Sequence, residues 1–306
     1  MSILNICFTT NDKWVRQVQR AIYDIIIRKN SNTGINFFVL CDNFDGTSYF
    51  EPFLHVPNIT VRTQNIDTQL EFNYKIAPYY YDWIGPFKHL KFLIPDLELF
   101  KDVDKVLYLD VDMLARKDLT PLYEYDLENY ALGAVRDYSH LRMPNFADIF
   151  RVCNKIESGM YLMNLRKLRK LGFTEKCKIE TQRFCGDLPV MESVGLAYMK
   201  FLDPKWQIPY HFMCSESIYR DINRWNEYTG SEYESIEELV QASFLWHYCG
   251  DKEVYYETVP HVKDSFDLSE ERLAEFLKTG VVMDWKPSDD DILTINATTG
   301  EEYVQS

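Results

Sequence analysis

Among the 306 residues, the stretch whose residue types most plainly carry chemistry is Lys105-Val-Leu-Tyr-Leu-Asp110-Val-Asp112. Val106 to Leu109 form an uninterrupted apolar run that ends on two carboxylates flanking Val111. Such a run is what a β-strand covered on both faces requires. Residues i and i+2 of a strand point the same way, so Asp110 and Asp112 can converge on one hard cation if the chain stays extended there. At the carboxyl end of a sheet strand they stand where open α/β sheets bind ligands. The alternative is a pair of solvated turn acids, which the well-formed apolar strand before them disfavours.

The elements that must hold this pair in place are legible on either side. Ile3 to Thr9 predicts a first strand that ends in the polar turn Thr10-Asn11-Asp12. Lys13 to about Lys29 carries Trp14, Val15, Val18, Ala21, Ile22 and Ile25 at helical spacing, and Asn32-Thr-Gly34 stops it. Ile35 to Cys41 is a second apolar strand. A strand, helix, strand unit of this kind crosses over right-handed and brings its first turn to the ligand edge. That turn lacks the glycine fingerprint of dinucleotide binding. A third strand is expected from Ile59, a helix interrupted near Pro95 leads into the central strand, and the Tyr79 to Trp83 cluster reads as a packed loop. Further strands are expected at Ala131 to Val135, running on to Asp137, and at Gly159 to Leu165. A helix over Ser235 to Ser243 hands over to Phe244-Leu-Trp-His247-Tyr-Cys-Gly250. Leu268 to Leu277 forms an amphipathic helix before an acidic tail, for which a solvated end is the expectation.

Composition limits the partners. With 46% hydrophobic residues the chain can bury a large core, while a net charge of −14 speaks against a nucleic-acid or anionic-membrane surface, both of which need clustered cations. An anionic small molecule remains compatible, because local cations outweigh surface acids beyond a Debye length of roughly 8–10 Å. The seven cysteines are dispersed with no CxxC spacing, as suits reduced thiols. No segment reaches the ~20 apolar residues of a membrane span, and a cytoplasmic protein is expected.

Taken in order, Leu107-Tyr-Leu-Asp110-Val-Asp112, Leu119-Thr-Pro-Leu122, Glu157-Ser158-Gly159 with Met163-Asn-Leu165, Leu202-Asp-Pro204-Lys-Trp206 and His247-Tyr-Cys-Gly250 give the chain a likeness. It resembles family 8 glycosyltransferases, which include glycogenin and bacterial glycan galactosyl- and glucosyltransferases. The resemblance implies a GT-A fold: an α/β architecture with a Rossmann-like mixed central sheet flanked by helices, over residues 1–261. Its nucleotide-binding part would span about 1–125 and its donor-sugar and acceptor part about 126–261, followed by a small C-terminal helix and acidic tail, 262–306. It further implies a metal-dependent, retaining transfer of a hexose from a UDP-sugar, with Mn2+ (or Mg2+) as the cation and a glycan, glycoprotein or other hydroxyl compound as acceptor.

The resemblance also assigns residues. Asp110, Asp112 and His247 match the metal ligands; by itself, His247 behind Phe244-Leu-Trp246 would read as a core histidine. Thr9, Thr10, Asn11 and Asp12 match the uridine turn, with Asn11 where an Asp is common; its side-chain carbonyl is able to accept from uracil N3–H, and Asn11 or Asp12 would equally serve as a helix cap. Lys91 matches a cation near donor sugar and phosphate, and Asp137 and Asp187 match acids that grip sugar hydroxyls. Gly250 and Lys252 fall to the diphosphate, although Lys252 follows the histidine one residue earlier than the family's lysine. Two further departures are Glu157 in place of an Asn and Leu188 in place of the Gln that lies close to the reacting carbon. With Leu188, a front-face transfer that relies on positioning is expected. Two other readings compete: a glycogenin-like self-glycosylating or catalytically weak UDP-sugar binder, and a HAD-type phosphatase. The latter is disfavoured by Leu114 at its characteristic Thr position and by the late position of the acidic pair.

Overall fold

The computed structural model describes residues 3–74, 86–137, 155–184, 186–209, 220–248 and 260–286. Its centre is a seven-stranded mixed sheet in the order β3-β2-β1-β4-β7-β6-β8. The strands are β1 (Ile3–Thr10), β2 (Gly34–Asp42), β3 (Ile59–Ile66), β4 (Lys105–Leu109), β6 (Leu132–Ala134), β7 (Met160–Asn164) and β8 (Met199–Phe201). A separate antiparallel pair joins β5 (Met113–Ala115) to β9 (Leu245–His247).

β1 to β4 are parallel, and the chain reverses sheet direction only at β7, which runs antiparallel to β4 from Lys105↔Asn164 to Leu109↔Met160. The path runs outward from β1 through β2 to β3, then returns to lay β4 on the other side of β1, with Cys7 opposite Tyr108. A crevice opens at such a switch point, outside the carboxyl ends of the two strands. The Thr9 to Asp12 turn and the Asp110-Val111-Asp112 segment therefore meet at one edge.

Alternation along the strands divides the core in two. Ile6, Phe8, Leu107 and Leu109 face one layer, which includes the helix Val15–Arg28, while Cys7, Val106, Tyr108 and Tyr161 face the other. Over the second face lies a series of tight 3₁₀ turns, Pro86–Phe92, Ile94–Asp96 and Glu98–Phe100, where the sequence suggested one interrupted helix. Pro95 lacks the N–H an α-helix would need, which accounts for the break. Trp14 leads into the first helix, and it is Asn11 that supplies side-chain capping, its Oδ1 accepting from the backbone N–H groups of Lys13 and Trp14 at 3.1 and 3.2 Å.

The C-terminal helix is longer than its apolar pattern suggested, Pro260–Thr279 rather than 268–277. It buries Leu273 and Phe276 against the helix Val15–Arg28, with Tyr23 stacked on Phe276 at 4.7 Å. Buried Asp24 pairs with Arg28 at 3.2 Å and accepts from the Ser269 hydroxyl at 2.5 Å, and Arg28 lies over Trp285. The acidic residues 289–291 and the 79–83 aromatic cluster lie outside the described residues. Cys7, Cys41 and Cys177 are buried free thiols, as the dispersed spacing implied. Among the described residues, no helix is long and apolar enough to cross a membrane.

Candidate active site

The acidic pair does not lie on a continuous strand. β4 stops at Leu109, Val111 and Asp112 form a turn, and β5 begins at Met113. The turn is the means of convergence, because it lets each acid face a different neighbour. Asp110 continues the alternation of Val106 and Tyr108, and accepts from the Tyr108 hydroxyl at 2.5 Å. Asp112 is carried toward β9, where Met113 pairs with His247 and the Tyr248 N–H donates to the Asp112 carbonyl at 3.1 Å. The β5–β9 pair is thus what brings a distant histidine to the carboxylates. Buried Arg20, from the first helix, holds the turn between them by donating to the Val111 carbonyl at 3.2 Å.

Asp110, Asp112 and His247 each offer a ligand atom, and these atoms all lie within 4.8 Å of one another. His247 Nε2 is 3.3 Å from Asp112 Oδ1, and on the other side of the ring Nδ1 is 3.1 Å from Glu157 Oε1 and 2.9 Å from the Gln207 side-chain amide. Burial by itself would lower the imidazole's pKa; Asp112 and Glu157 reverse that and raise it to about 10. Burial and the adjacent Asp112 push the Asp110 carboxyl up, against the pull of Lys91. Two acids and an imidazole that mutually disturb one another in this way form a set whose electrostatics a divalent cation would relieve. Gly159 lies under the ring: a Cβ there would stand 2.6 Å from His247 Cε1 and 2.6 Å from Met113 Cε. Its carbonyl accepts from the Asp110 N–H at 2.8 Å, so the Glu157 to Gly159 segment is bonded to the acidic turn itself.

Lys91 comes from the first 3₁₀ turn and is buried between two acids, 2.7 Å from Asp187 Oδ2 and 3.7 Å from Asp110 Oδ1, with the rings of Tyr108 and Tyr161 beside it. Burial would lower its pKa, but Asp110 and Asp187 outweigh that and keep it protonated. Asp187 opens the helix Asp187–Gly195 and has a second cation, Lys88, at 3.3 Å. Burial works to raise its pKa, and the two lysines overcome that and hold the carboxyl well below the usual carboxylate range.

Residues 5–252 match the profile of glycosyl transferase family 8. The chain belongs to glycosyl transferase family 8. The galactosyltransferase LgtC, solved in complex with donor and acceptor sugar analogs, superposes with a TM-score of 0.65 at 19% identity, covering 95% of this chain and 100% of that one. GlyE of Streptococcus pneumoniae TIGR4 superposes with a TM-score of 0.56 at 18% identity, over 91% of this chain and 64% of GlyE. The mixed sheet is that of the GT-A fold. Among curated proteins, the glycosyltransferase GlyF of Streptococcus pneumoniae serotype 4 is 30% identical over 109 residues, 35% of this chain and 25% of GlyF. General stress protein A of Bacillus subtilis is 30% identical over 86 residues, 27% of this chain and 29% of that protein. The aligned stretches span about a quarter of the length of these two relatives. Family membership supports a glycosyltransferase enzyme and speaks against the phosphatase reading.

Of the residues the sequence singled out, this family 8 chain brings Asp110, Val111, Asp112, His247, Lys91 and Asp187 into one connected cluster. Thr9 joins it through a 3.1 Å bond to the Tyr108 hydroxyl, which in turn donates to Asp110. Thr10 donates to the Asn11 carbonyl at 2.9 Å, and Asp12 is exposed at the crevice edge. The Asn11 side-chain carbonyl is engaged by the two backbone N–H groups of its cap, so an acceptor role toward uracil would compete with them. Asp137 lies beyond β6; its N–H donates to Lys155, its carbonyl accepts from Tyr228, and its charge acts on Glu192. Gly250 and Lys252 lie outside the described residues. Leu188 is half-buried against the apolar layer and offers nothing polar beside Asp187. Sequence reasoning did not anticipate Arg20, Lys88 or Gln207 at the site, because each sits in a segment with no signal beyond ordinary helix or turn patterning. Glu157 was noted only as a departure, although its place two residues before Gly159 was the available clue.

Proposed function

We propose that the chain transfers a hexose from UDP-glucose or UDP-galactose to a hydroxyl of a glycan, glycoprotein or other acceptor, with retention of anomeric configuration. The observation that carries this reading is the meeting of Asp110, Asp112 and His247 at the crevice between β1 and β4. Two hard oxygens with one imidazole suit Mn2+ better than Mg2+. Held by these three side chains, the cation would neutralise charge gathering on the departing diphosphate.

The chain's own residues do the rest. Thr9, Thr10, Asn11 and Asp12 line the end of β1 where the uridine would lie; since the Asn11 carbonyl serves its cap, its NH2 group is left to donate to a uracil carbonyl. Asp187, kept ionised by two lysines, and Asp137 are acceptors suited to sugar hydroxyls. Gly250 and Lys252 complete the diphosphate contacts in this reading. Leu188 supplies neither nucleophile nor base, so the acceptor oxygen bonds to the anomeric carbon on the face from which UDP departs. The bond from that carbon to the phosphate oxygen breaks, and the acceptor proton passes to the leaving oxygen.

A thermal-shift panel of UDP-, GDP- and dTDP-sugars, with and without Mn2+, tests the donor assignment. UDP-sugars with Mn2+ are expected to stabilise the protein most, and preferential stabilisation by a GDP-sugar would overturn the uridine reading. Intact mass after incubation with UDP-sugars separates transfer to an external acceptor, which leaves the mass unchanged, from self-glycosylation, which adds hexose steps.

A further inference from the structure

We propose that Glu157 is a positioning residue for the metal-binding histidine, fixing the imidazole through Nδ1 so that Nε2 is presented to the cation; this rests on the metal site of the reading above. The two ring nitrogens face opposite chemistry. Nε2 looks toward Asp112 at 3.3 Å and belongs to the three-residue cluster, while Nδ1 looks away from it, toward Glu157 Oε1 at 3.1 Å. A ligating imidazole must leave the ligating nitrogen bare and carry its proton on the other, and a carboxylate accepting that proton fixes the tautomer and strengthens the ligand.

The fold holds Glu157 to this task from three sides. Its N–H donates to Val135 at 3.1 Å, and the preceding Ile156 bridges Arg136, so the segment is an extension of the sheet. Gly159 presses against the imidazole from below with no room for a Cβ, which leaves the ring little freedom to rotate away. The Gln207 side chain, fully buried, sets its Nε2 2.9 Å from the same Nδ1. With the proton on Nδ1, the amide turns half over to bring its oxygen into the place of its Nε2, so that both neighbours accept from the one N–H. An uncharged partner at position 157 would hold the ring more weakly and add no negative charge beside the site. In this chain the carboxylate makes His247 a better ligand.

Mn2+ and Mg2+ titrations in the presence of UDP, on wild type, Asp112→Ala and Glu157→Gln, test the inference, with free Mn2+ counted by electron paramagnetic resonance and Mg2+ binding read by calorimetry. Wild type is expected to bind Mn2+ and Asp112→Ala to lose it; if wild type binds no metal, the metal site itself fails and the inference falls with it. Given that binding, Glu157→Gln should weaken Mn2+ roughly 10-fold or more, the scale seen for outer partners of ligating histidines. Mg2+, which depends mainly on oxygen ligands, should weaken by less. Circular dichroism of metal-free Glu157→Gln should show the fold retained, with a lowered melting temperature because the protonated imidazole loses a charged partner. An unchanged Mn2+ affinity, or equal losses for Mn2+ and Mg2+, would overturn the role through His247 while leaving the metal site standing.

Discussion

On one side of Asp110, the buried carboxylate of Asp187 finds its countercharge within the fold, with Lys91 at 2.7 Å and Lys88 at 3.3 Å. On the other side, Asp112 faces the imidazole of His247, itself flanked by Glu157. Among the described residues, the first cluster sets Asp187 against two lysines, while the second sets Asp112 and Glu157 about one imidazole and so favours its protonated form. Buried charges are tolerated when paired, and acids gathered about one imidazole suit a cation that would join them. In the proposed reading the contrast divides the work: the Asp187 side is a preorganised surface of fixed charge, and the Asp112 side is where a cation would enter. Asp110 reaches both, lying 3.7 Å from Lys91 and within 4.8 Å of the ligand atoms of Asp112 and His247, so it couples the two.

The largest expected effect comes from emptying the open side. Asp112→Ala should lower kcat/KM by about three orders of magnitude, the scale of losing a principal electrostatic stabiliser of the leaving group. A UDP-release assay checks this, and a loss under tenfold would mean that the cation is held elsewhere. Next, Gly159→Ala places a Cβ against His247 and Met113; the methionine end can yield but the ring cannot do so without leaving the acids. Mn2+ affinity should fall about 10-fold or more, on the scale of losing an orienting partner of a metal ligand, with the fold retained by circular dichroism.

Lys91→Met probes the closed side. It removes the nearer partner of Asp187 but leaves Lys88, so the fold should lose about 3 kcal/mol, measured by urea unfolding. A neutral outcome would show that Lys91 is not needed to balance Asp187.

The last effect is a pH dependence. The metal-free histidine keeps its proton until about pH 10, so binding at Nε2 must expel a proton on the way to the Nδ1-protonated neutral ring. Apparent Mn2+ affinity should therefore rise with pH, by up to about tenfold per unit between pH 7 and 9, with close to one proton released in calorimetry across buffers. In the metal-free protein the sign is opposite: the raised pKa adds stability below about pH 6.5, and that stability is lost as pH rises through about 10.

The parts of this molecule that were legible in advance are those with periodicity or adjacency. β1, the first helix, β2 and β4 declare themselves through apolar runs and turn residues, and the acidic pair through its place behind Leu109. The short strand β5 was not legible, because three apolar residues after a turn carry no period, yet it is the element that receives β9 and so completes the site. Lys91 was assigned by resemblance alone, since a lysine in a segment of 3₁₀ turns gives no sign that it will be buried between two acids. Asn11 stands between these cases: its type was right for a cap and for a base contact, and only the geometry shows the cap occupying its carbonyl.

The central claim is that Asp110, Asp112 and His247 hold the cation that binds UDP. Its most direct test is calorimetric titration of UDP into the wild-type protein with Mn2+, into the same protein with a chelator, and into Asp112→Ala with Mn2+. The account predicts clear binding in the first case and a loss of at least tenfold in the other two. Equal UDP affinity in all three would contradict it.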